Sequence, residues 1–347
     1  MCIRDRFDVL SAIKQKHPET IGVINRTGAD IFKDFGYTYG TRPDVCYNYE
    51  EDKYVFGPES ENYKQMLQYM NKLWNAGLMD PEIFTASKTQ FESKLVNGLG
   101  VYYMDWAVYS SDYTKTHKSL LGEGETDSFS LVPIGPITPE IYPRKIVQKM
   151  EDTNIYCSYA VSSQTKAPEK IVKFIDWLYS DEGADVAQYG VKGEHYNIDE
   201  KGKYKFTEAI VASYNPDATV ERDKDLGIYL PHIRRVTTNK EYQDADKYVL
   251  KTREALEEYK RNGYAYMVNN GINLTFTEEE TEKKSEISSD ITTCVNEWSI
   301  GFVTGTKSFD NYDAFIAETK SRGIDELVEI YNATYDRFKK KLSDISR

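Results

Sequence analysis

The residues in this sequence that have the chemistry to hold a ligand come directly after short apolar segments. Arg26 follows the segment 21–24, and Asp105 and Trp106 follow the segment 100–104. An indole ring can stack on the apolar face of a sugar, and a carboxylate accepts strong hydrogen bonds from hydroxyl groups. Because ligands of open α/β sheets bind outside the carboxyl ends of the strands, these three residues are candidates for a binding cleft.

Further candidates complete the predicted site. Tyr156 opens an apolar segment over 155–162 that is typical of a strand. The full predicted ligand-binding set is Asn25, Arg26, Asp105, Trp106, Asn154, Tyr156 and Phe276. Each main candidate also has a purely structural interpretation: Trp106 as a plug at the sheet edge, Arg26 in a surface ion pair and Tyr156 in strand packing. The other three tryptophans lie on helical core faces and are predicted to pack there.

Sequence signatures of catalysis, phosphate binding and metal binding are missing. GxSxG, SxxK, GxxxxGK[ST] and GxGxxG do not occur, and the four Cys and four His are scattered without metal-ligand spacing. Residues 223–227 are weakly similar to a calcium loop but lack its downstream Glu. We therefore expect no catalytic residues, no metal and no cofactor, and a protein that is not an enzyme.

Composition narrows the class of protein further. The 347 residues predict about two domains, and 44 basic against 56 acidic residues give a net charge of −12. Such a surface repels phosphate backbones, so general nucleic-acid binding is disfavoured. The 28 Tyr suit a binding surface, although core packing explains them equally well.

The elements that must position these residues follow from hydrophobic spacing. Strands alternate with helices in the first part of the chain, and helices dominate the last part, which predicts an α/β architecture with a helical C-terminus. The clearest helix is 60–76, and Thr89 is predicted to cap another. Pro168 begins a helix to Tyr179 whose core face would include Ile171 and Phe174. The last helices are predicted from Thr277, which forms a capping box with Glu280, to about Phe302, then over 309–321 and 324–343.

The first six residues are unlike the rest of the chain. Met1–Arg6 (MCIRDR) resembles the translation of an adaptor used to prepare DNA sequencing libraries. We therefore expect residues 1–6 to be an artefactual leader and the true chain to begin upstream, so that the start of this sequence says nothing about compartment.

Five segments in order resemble a known family. They are Tyr54–Glu82, which ends in AGLMDPE; Phe91–Trp106; Ser158–Gly183, which ends in FIDWLYSDEG; Tyr189–Tyr196 (YGVKGEHY); and Phe276–Glu280 (FTEEE). Together they are similar to the extracellular solute-binding proteins of family 1, the substrate-binding lipoproteins of ABC importers, in their LipO-like branch.

The resemblance implies an α/β, type 2 periplasmic-binding-protein fold, with two lobes around a hinge and a cleft and a helical C-terminus. By analogy, residues 7–128 and 196–347 form the second lobe (C-lobe). Residues 129–195 return to the first lobe (N-lobe), which would be incomplete because its remainder lies upstream.

The resemblance also implies a function. We expect an extracellular, lipid-anchored and monomeric binding protein that captures an oligosaccharide and delivers it to the permease subunits of an ABC importer. The signal and anchor would be absent from this chain. The alternatives are the same fold binding a peptide or an anionic sugar acid that Arg26 would pair, and more remotely a glycan-active enzyme that uses a carboxylate pair.

Overall fold

A computed structural model describes most of the chain. The described residues are 3–48, 50–105, 113–114, 116–117, 131–132, 134, 139–142, 146–149, 161–200, 202, 204–213, 254–255, 258, 261, 265–268 and 274–345. The chain divides into two compact units. Unit 1 is Met1–Asp105, Ile134–Glu151 and Glu258–Arg347, and unit 2 is Trp106–Pro133 and Asp152–Glu257.

Helices and strands alternate in the first part of unit 1 and helices dominate its last part. In chain order its elements are α1 (Ile3–Lys16), β1 (Ile21–Val23), α2 (Ile31–Tyr39), β2 (Val45–Asn48), β3 (Lys53–Phe56), α3 (Glu61–Asn75), α4 (Lys88–Val96), β4 (Gly100–Tyr102) and β5 (Ile146–Lys149). In unit 2 follow α5 (Pro168–Leu178), α6 (Asp181–Tyr189), β6 (Tyr196–Ile198), β7 (Tyr204–Phe206) and α7 (Glu208–Ser213). Unit 1 then resumes with β8 (Ala265–Val268), α8 (Glu278–Thr304), α9 (Tyr312–Ser321) and α10 (Ile324–Ile345).

The described strands pair in twos. β1 runs parallel to β4, with Ile21 opposite Gly100 and Val23 opposite Tyr102. β5 and β8 are also parallel, whereas β2–β3 and β6–β7 are antiparallel pairs. Parallel pairing aligns the carboxyl ends of β1 and β4 at one edge, which is the arrangement that the predicted site requires.

The core of unit 1 forms around α3 because its apolar residues recur every three or four positions. Tyr63, Met66, Met70 and Leu73 are fully buried, and α8 packs along this face. The hydroxyl of Ser60 accepts a hydrogen bond from the Tyr63 amide and so begins the helix. Truncating one such fully buried side chain to Ala costs about 2–5 kcal/mol.

The C-terminal helix α10 completes the exposed edge of strand β3. The side-chain amide of Asn332 accepts a hydrogen bond from the Tyr54 N–H at 2.9 Å and donates to the Tyr54 carbonyl at 2.8 Å. The hydroxyls of Tyr47 and Tyr335 both donate to Asp52, which lies in the β2–β3 turn at a φ of 51°. Helix and hairpin are therefore joined by polar contacts as well as by ring packing.

Unit 2 has a small aromatic core of its own. The Tyr204 ring stacks on Tyr189 at 4.6 Å and on Tyr196 at 5.3 Å between ring centroids. This packing fixes the β6–β7 hairpin to the end of helix α6, and the Tyr204 hydroxyl donates to Asp185 on that helix.

Most predicted elements in the described part of the chain are confirmed. The Thr277–Glu280 capping box has both of its hydrogen bonds and opens α8 as expected. Two details differ. Ser87 rather than Thr89 caps α4, because Gln90 lies at the position that completes a capping box with Ser87.

The predicted core face of α5 is only partly buried. Leu178 is 1% exposed, but Ile171 is 36% and Phe174 50% exposed. Spacing identifies an apolar face of a helix without showing what covers it. Of the predicted strand 155–162, residues 155–160 lie outside the described residues, and residues 161 and 162 are not in a strand. The assignment of residue ranges to lobes stays a prediction.

Candidate functional site

The candidate site lies where β1 and β4 end side by side. The Ile24 amide donates to the Tyr102 carbonyl at 3.0 Å, so the two chains leave the sheet at the same level. Leu78–Asp80 runs on the other side of β1, bonded to both backbone groups of Val23. Three segments therefore present their carboxyl ends at this edge.

Arg26 and Asp105 meet at this edge in a bidentate ion pair. The guanidinium Nε lies 2.6 Å from Oδ2 of Asp105, and Nη2 lies 2.7 Å from Oδ1. The Arg26 side chain is 17% exposed and that of Asp105 is 3% exposed. Two parallel charge-assisted hydrogen bonds fix both groups in one plane, so each holds the other in a defined orientation. The structure thus brings together two of the predicted site residues that are 79 positions apart in sequence.

Asn25 builds the turn that carries Arg26 away from β1. Its Nδ2 donates to the Gly28 carbonyl at 2.8 Å, and its Oδ1 accepts from the hydroxyl of Thr27 at 2.9 Å and from the Thr27 amide. Gly28 takes a φ of 58°, which favours glycine. Asn25 is 4% exposed, and its amide is engaged at both ends within the turn.

Asp34, on helix α2, is a charged neighbour of the pair that the sequence reasoning missed. Burial, with a smaller contribution from the negative charges of Asp30 and Asp105, raises the pKa of this carboxyl from 3.8 to about 7. Lys33 and Arg26 oppose that rise. The environment of Asp34 depends on tertiary packing around α2 and has no local signal in the sequence.

Aromatic rings from β4 pack beside the pair. Burial, together with the charge of Asp105, raises the pKa of the Tyr103 hydroxyl. The guanidinium of Arg6 lies 4.4 Å from the centroid of the Tyr102 ring, and Arg6 is 4% exposed. The interpretation of residues 1–6 as an artefactual leader stays a prediction.

A second, larger ion cluster lies at the same edge, at the carboxyl end of the segment Leu78–Asp80. Lys94 on α4 donates to both oxygens of Asp80, at 2.7 and 3.0 Å, and to Glu82 at 2.7 Å. Asp80 is 1% exposed and also accepts a hydrogen bond from the Glu82 amide, so it organises the turn after Leu78. The resemblance to the solute-binding family is the signal that the sequence offers for this segment.

The remaining predicted residues are not part of this arrangement as described. Phe276 precedes α8, where its ring packs edge-on against Tyr331 of α10 at 5.1 Å and lies beneath the Lys284 ammonium. Trp106, Asn154 and Tyr156 lie outside the described residues. A role of any of the seven in ligand binding stays a prediction.

Among the residues that the structure describes, groups of three or more His, Cys, Asp or Glu side chains with metal-binding geometry do not occur. No helix in that part of the chain is long and apolar enough to span a membrane.

Comparison with known proteins identifies which proteins share this fold. No known family profile matches the chain. It is 21% identical over 340 residues to the polygalacturonan/rhamnogalacturonan-binding protein YtcQ of Bacillus subtilis, which covers 96% of this chain and 64% of that protein. This chain thus spans less than two thirds of the length of that curated relative.

Solved structures resemble the chain over almost its whole length. The alginate-binding protein AlgQ2 superposes with a TM-score of 0.74 at 21% identity, over 96% of this chain and 68% of that one. The Streptococcus pneumoniae ABC-transporter substrate-binding protein FusA, in complex with kestose, gives a TM-score of 0.71 at 18% identity, over 98% and 69%. The chain has the fold of the solute-binding proteins. The predicted α/β, periplasmic-binding-protein fold class with a helical C-terminus is confirmed.

Proposed function

We propose that the protein is the substrate-binding component of an ABC importer and that it captures an oligosaccharide. The fold is shared with an alginate-binding protein and with a substrate-binding protein in complex with kestose, and the sequence is similar to that of a polygalacturonan-binding protein. These ligands differ in charge and linkage but are all carbohydrates, so the proposal is a carbohydrate without a named sugar.

The observation that carries the proposal is the Arg26–Asp105 pair at the carboxyl ends of β1 and β4. Ligands of open α/β sheets bind at such ends. A fixed guanidinium and carboxylate provide donors and acceptors with set directions, which suits the hydroxyl groups of a sugar. The sequence candidates Trp106, Asn154 and Tyr156 remain part of the proposal, with the Trp106 ring stacking on a sugar, whereas Asn25 supports the turn that carries Arg26 and Phe276 packs against Tyr331.

The proposal includes the setting in which capture occurs. The protein works outside the cell as a lipid-anchored monomer, and its partners are the sugar and the transmembrane permease subunits. It performs no chemistry on the sugar and uses no cofactor.

Isothermal titration calorimetry with an oligosaccharide panel tests the proposal. The panel contains kestose, galactotetraose, mannotetraose, tetragalacturonate and an alginate tetramer, titrated into the protein as its source genome encodes it. We expect saturable binding of at least one oligosaccharide and no new reducing ends after incubation. Absence of binding to every sugar of the panel, or release of reducing ends, would contradict the proposal.

Substitution of the two candidates tests the site itself. Stacking on an aromatic ring contributes about 1 kcal/mol, so Trp106→Ala should weaken sugar binding by about fivefold. Trp177→Phe is the matched control, because Trp177 packs on Phe174 within unit 2. Unchanged affinity in Trp106→Ala would remove Trp106 from the site.

A further inference from the structure

The charge state of the Arg26–Asp105 pair bears on the kind of sugar that this edge accepts. A free guanidinium would attract a uronate carboxylate and bind it in the bidentate manner of carboxylate recognition. Here Asp105 already fills that role, through Nε and Nη2 of Arg26. The pair as a whole is neutral.

The neighbouring cations are matched with acids in the same way. Lys33 lies 2.8 Å from Asp30, and Lys94 bonds to both Asp80 and Glu82. Arg6 is 4% exposed over the Tyr102 ring, so little of it is accessible to a ligand. These three cations and Arg26 are balanced by the four acids Asp105, Asp30, Asp80 and Glu82, so the described groups at this edge carry no surplus of positive charge.

An acidic sugar that bound the Nε–Nη2 face of Arg26 would have to displace Asp105, and at Nη1 it would meet a guanidinium whose charge Asp105 already balances. That carboxylate is 3% exposed and would be left buried without its partner, which is strongly unfavourable. A neutral sugar avoids this loss, because its hydroxyl oxygens can accept from the guanidinium, which is 17% exposed, while the pair remains intact.

We infer that the site takes a neutral oligosaccharide and discriminates against uronic-acid glycans, because Asp105 occupies the Nε–Nη2 face of Arg26 and balances its charge. This inference rests on the proposed function and specifies its substrate class. It separates this chain from relatives whose names give polygalacturonan and alginate as ligands.

Competition between charged and neutral sugars tests the inference with the wild-type protein. The neutral probes are kestose, galactotetraose and mannotetraose, and the acidic probes are tetragalacturonate and an alginate tetramer. We expect at least one neutral probe to bind at least about 100-fold more tightly than either acidic probe, given the cost of stripping a buried carboxylate of its partner. An acidic probe that binds equally or more tightly would overturn the inference and leave the proposed function standing. If no probe binds, the proposed function fails and the inference fails with it.

The variant Asp105→Asn tests the cause of the discrimination. It keeps the shape of the side chain and leaves the Arg26 charge unbalanced, so the ratio of acidic to neutral affinity should rise by at least about tenfold. Asp30→Asn is the matched control: it removes the same charge from an exposed pair and should change the ratio less than threefold, as surface pairs contribute little. An equal change in the two variants would show that net charge alone sets the preference and would overturn the role of Asp105. The wild-type competition decides the substrate class even where Asp105→Asn does not fold.

Discussion

The half-buried carboxyl of Asp34 should make the stability of the protein depend on pH in an unusual direction. Its pKa is raised from 3.8 to about 7, first by burial and then by the charges of Asp30 and Asp105. Between these values the folded protein keeps a proton on Asp34 that the unfolded chain has lost. The free energy of unfolding should therefore fall as the pH rises from about 4 to about 7, and the full penalty applies above that range.

The size of the effect follows from the two pKa values. A rise from 3.8 to about 7 corresponds to about 4 kcal/mol of destabilisation once Asp34 is ionised in the folded state. Asn cannot ionise and is close in shape to Asp. Asp34→Asn should therefore match the wild type near pH 4 and exceed its stability by up to about 4 kcal/mol at pH 8.

Urea unfolding at pH 4.5, 6 and 8, followed by circular dichroism, measures this difference. Asp8→Asn is the control, because Asp8 is an exposed acid on α1 and its substitution should give no such trend. A wild-type-to-variant difference that stays constant across the three pH values would refute the assignment of Asp34 as a half-buried acid that is protonated in the folded state.

Three further predictions concern the polar contacts that hold unit 1 together. Asn332→Asp removes the donor to the Tyr54 carbonyl and places a carboxylate oxygen against it, so the free energy of unfolding in urea should fall by about 1–3 kcal/mol. An unchanged free energy of unfolding would mean that the edge of β3 does not need this hydrogen bond. The Arg337 guanidinium and the Thr277 cap lower the pKa of Glu280 to about 2, so its contribution to the free energy of unfolding is present above pH 4.5 and is lost as the pH falls towards 2. Glu280→Gln should remove that part of the acid sensitivity. An acid-unfolding curve unchanged by the substitution would contradict this prediction. Ser87→Ala should cost about 1 kcal/mol by thermal unfolding, while Thr89→Ala should cost less; the reverse order would restore Thr89 as the cap of α4.

Local sequence rules predicted much of unit 1 because the signals lie within a few residues of each other. The spacing of Tyr63, Met66, Met70 and Leu73 on one face defined α3, and the Thr277 capping box marked the start of α8. Helix caps and apolar faces depend on neighbours three or four positions apart, which a single sequence shows directly.

Contacts between distant segments could be predicted only in part. Arg26 and Asp105 were each selected because they follow a strand, but their bidentate pairing depends on the parallel register of β1 with β4. Neither the burial of Asp34 nor the bonding of Asn332 to Tyr54 has a local signal. For the same reason spacing could not show that Ile171 is exposed on α5.

A crystal structure of the protein with a bound neutral oligosaccharide tests the central claim most directly. The account predicts sugar density at the carboxyl ends of β1 and β4, with at least one hydroxyl within about 3.2 Å of the Asp105 carboxylate or the Arg26 guanidinium. It also predicts that the ion pair between these two residues remains closed in the complex. A sugar bound elsewhere, or an Arg26 that leaves Asp105 to hold a ligand carboxylate, would contradict the account.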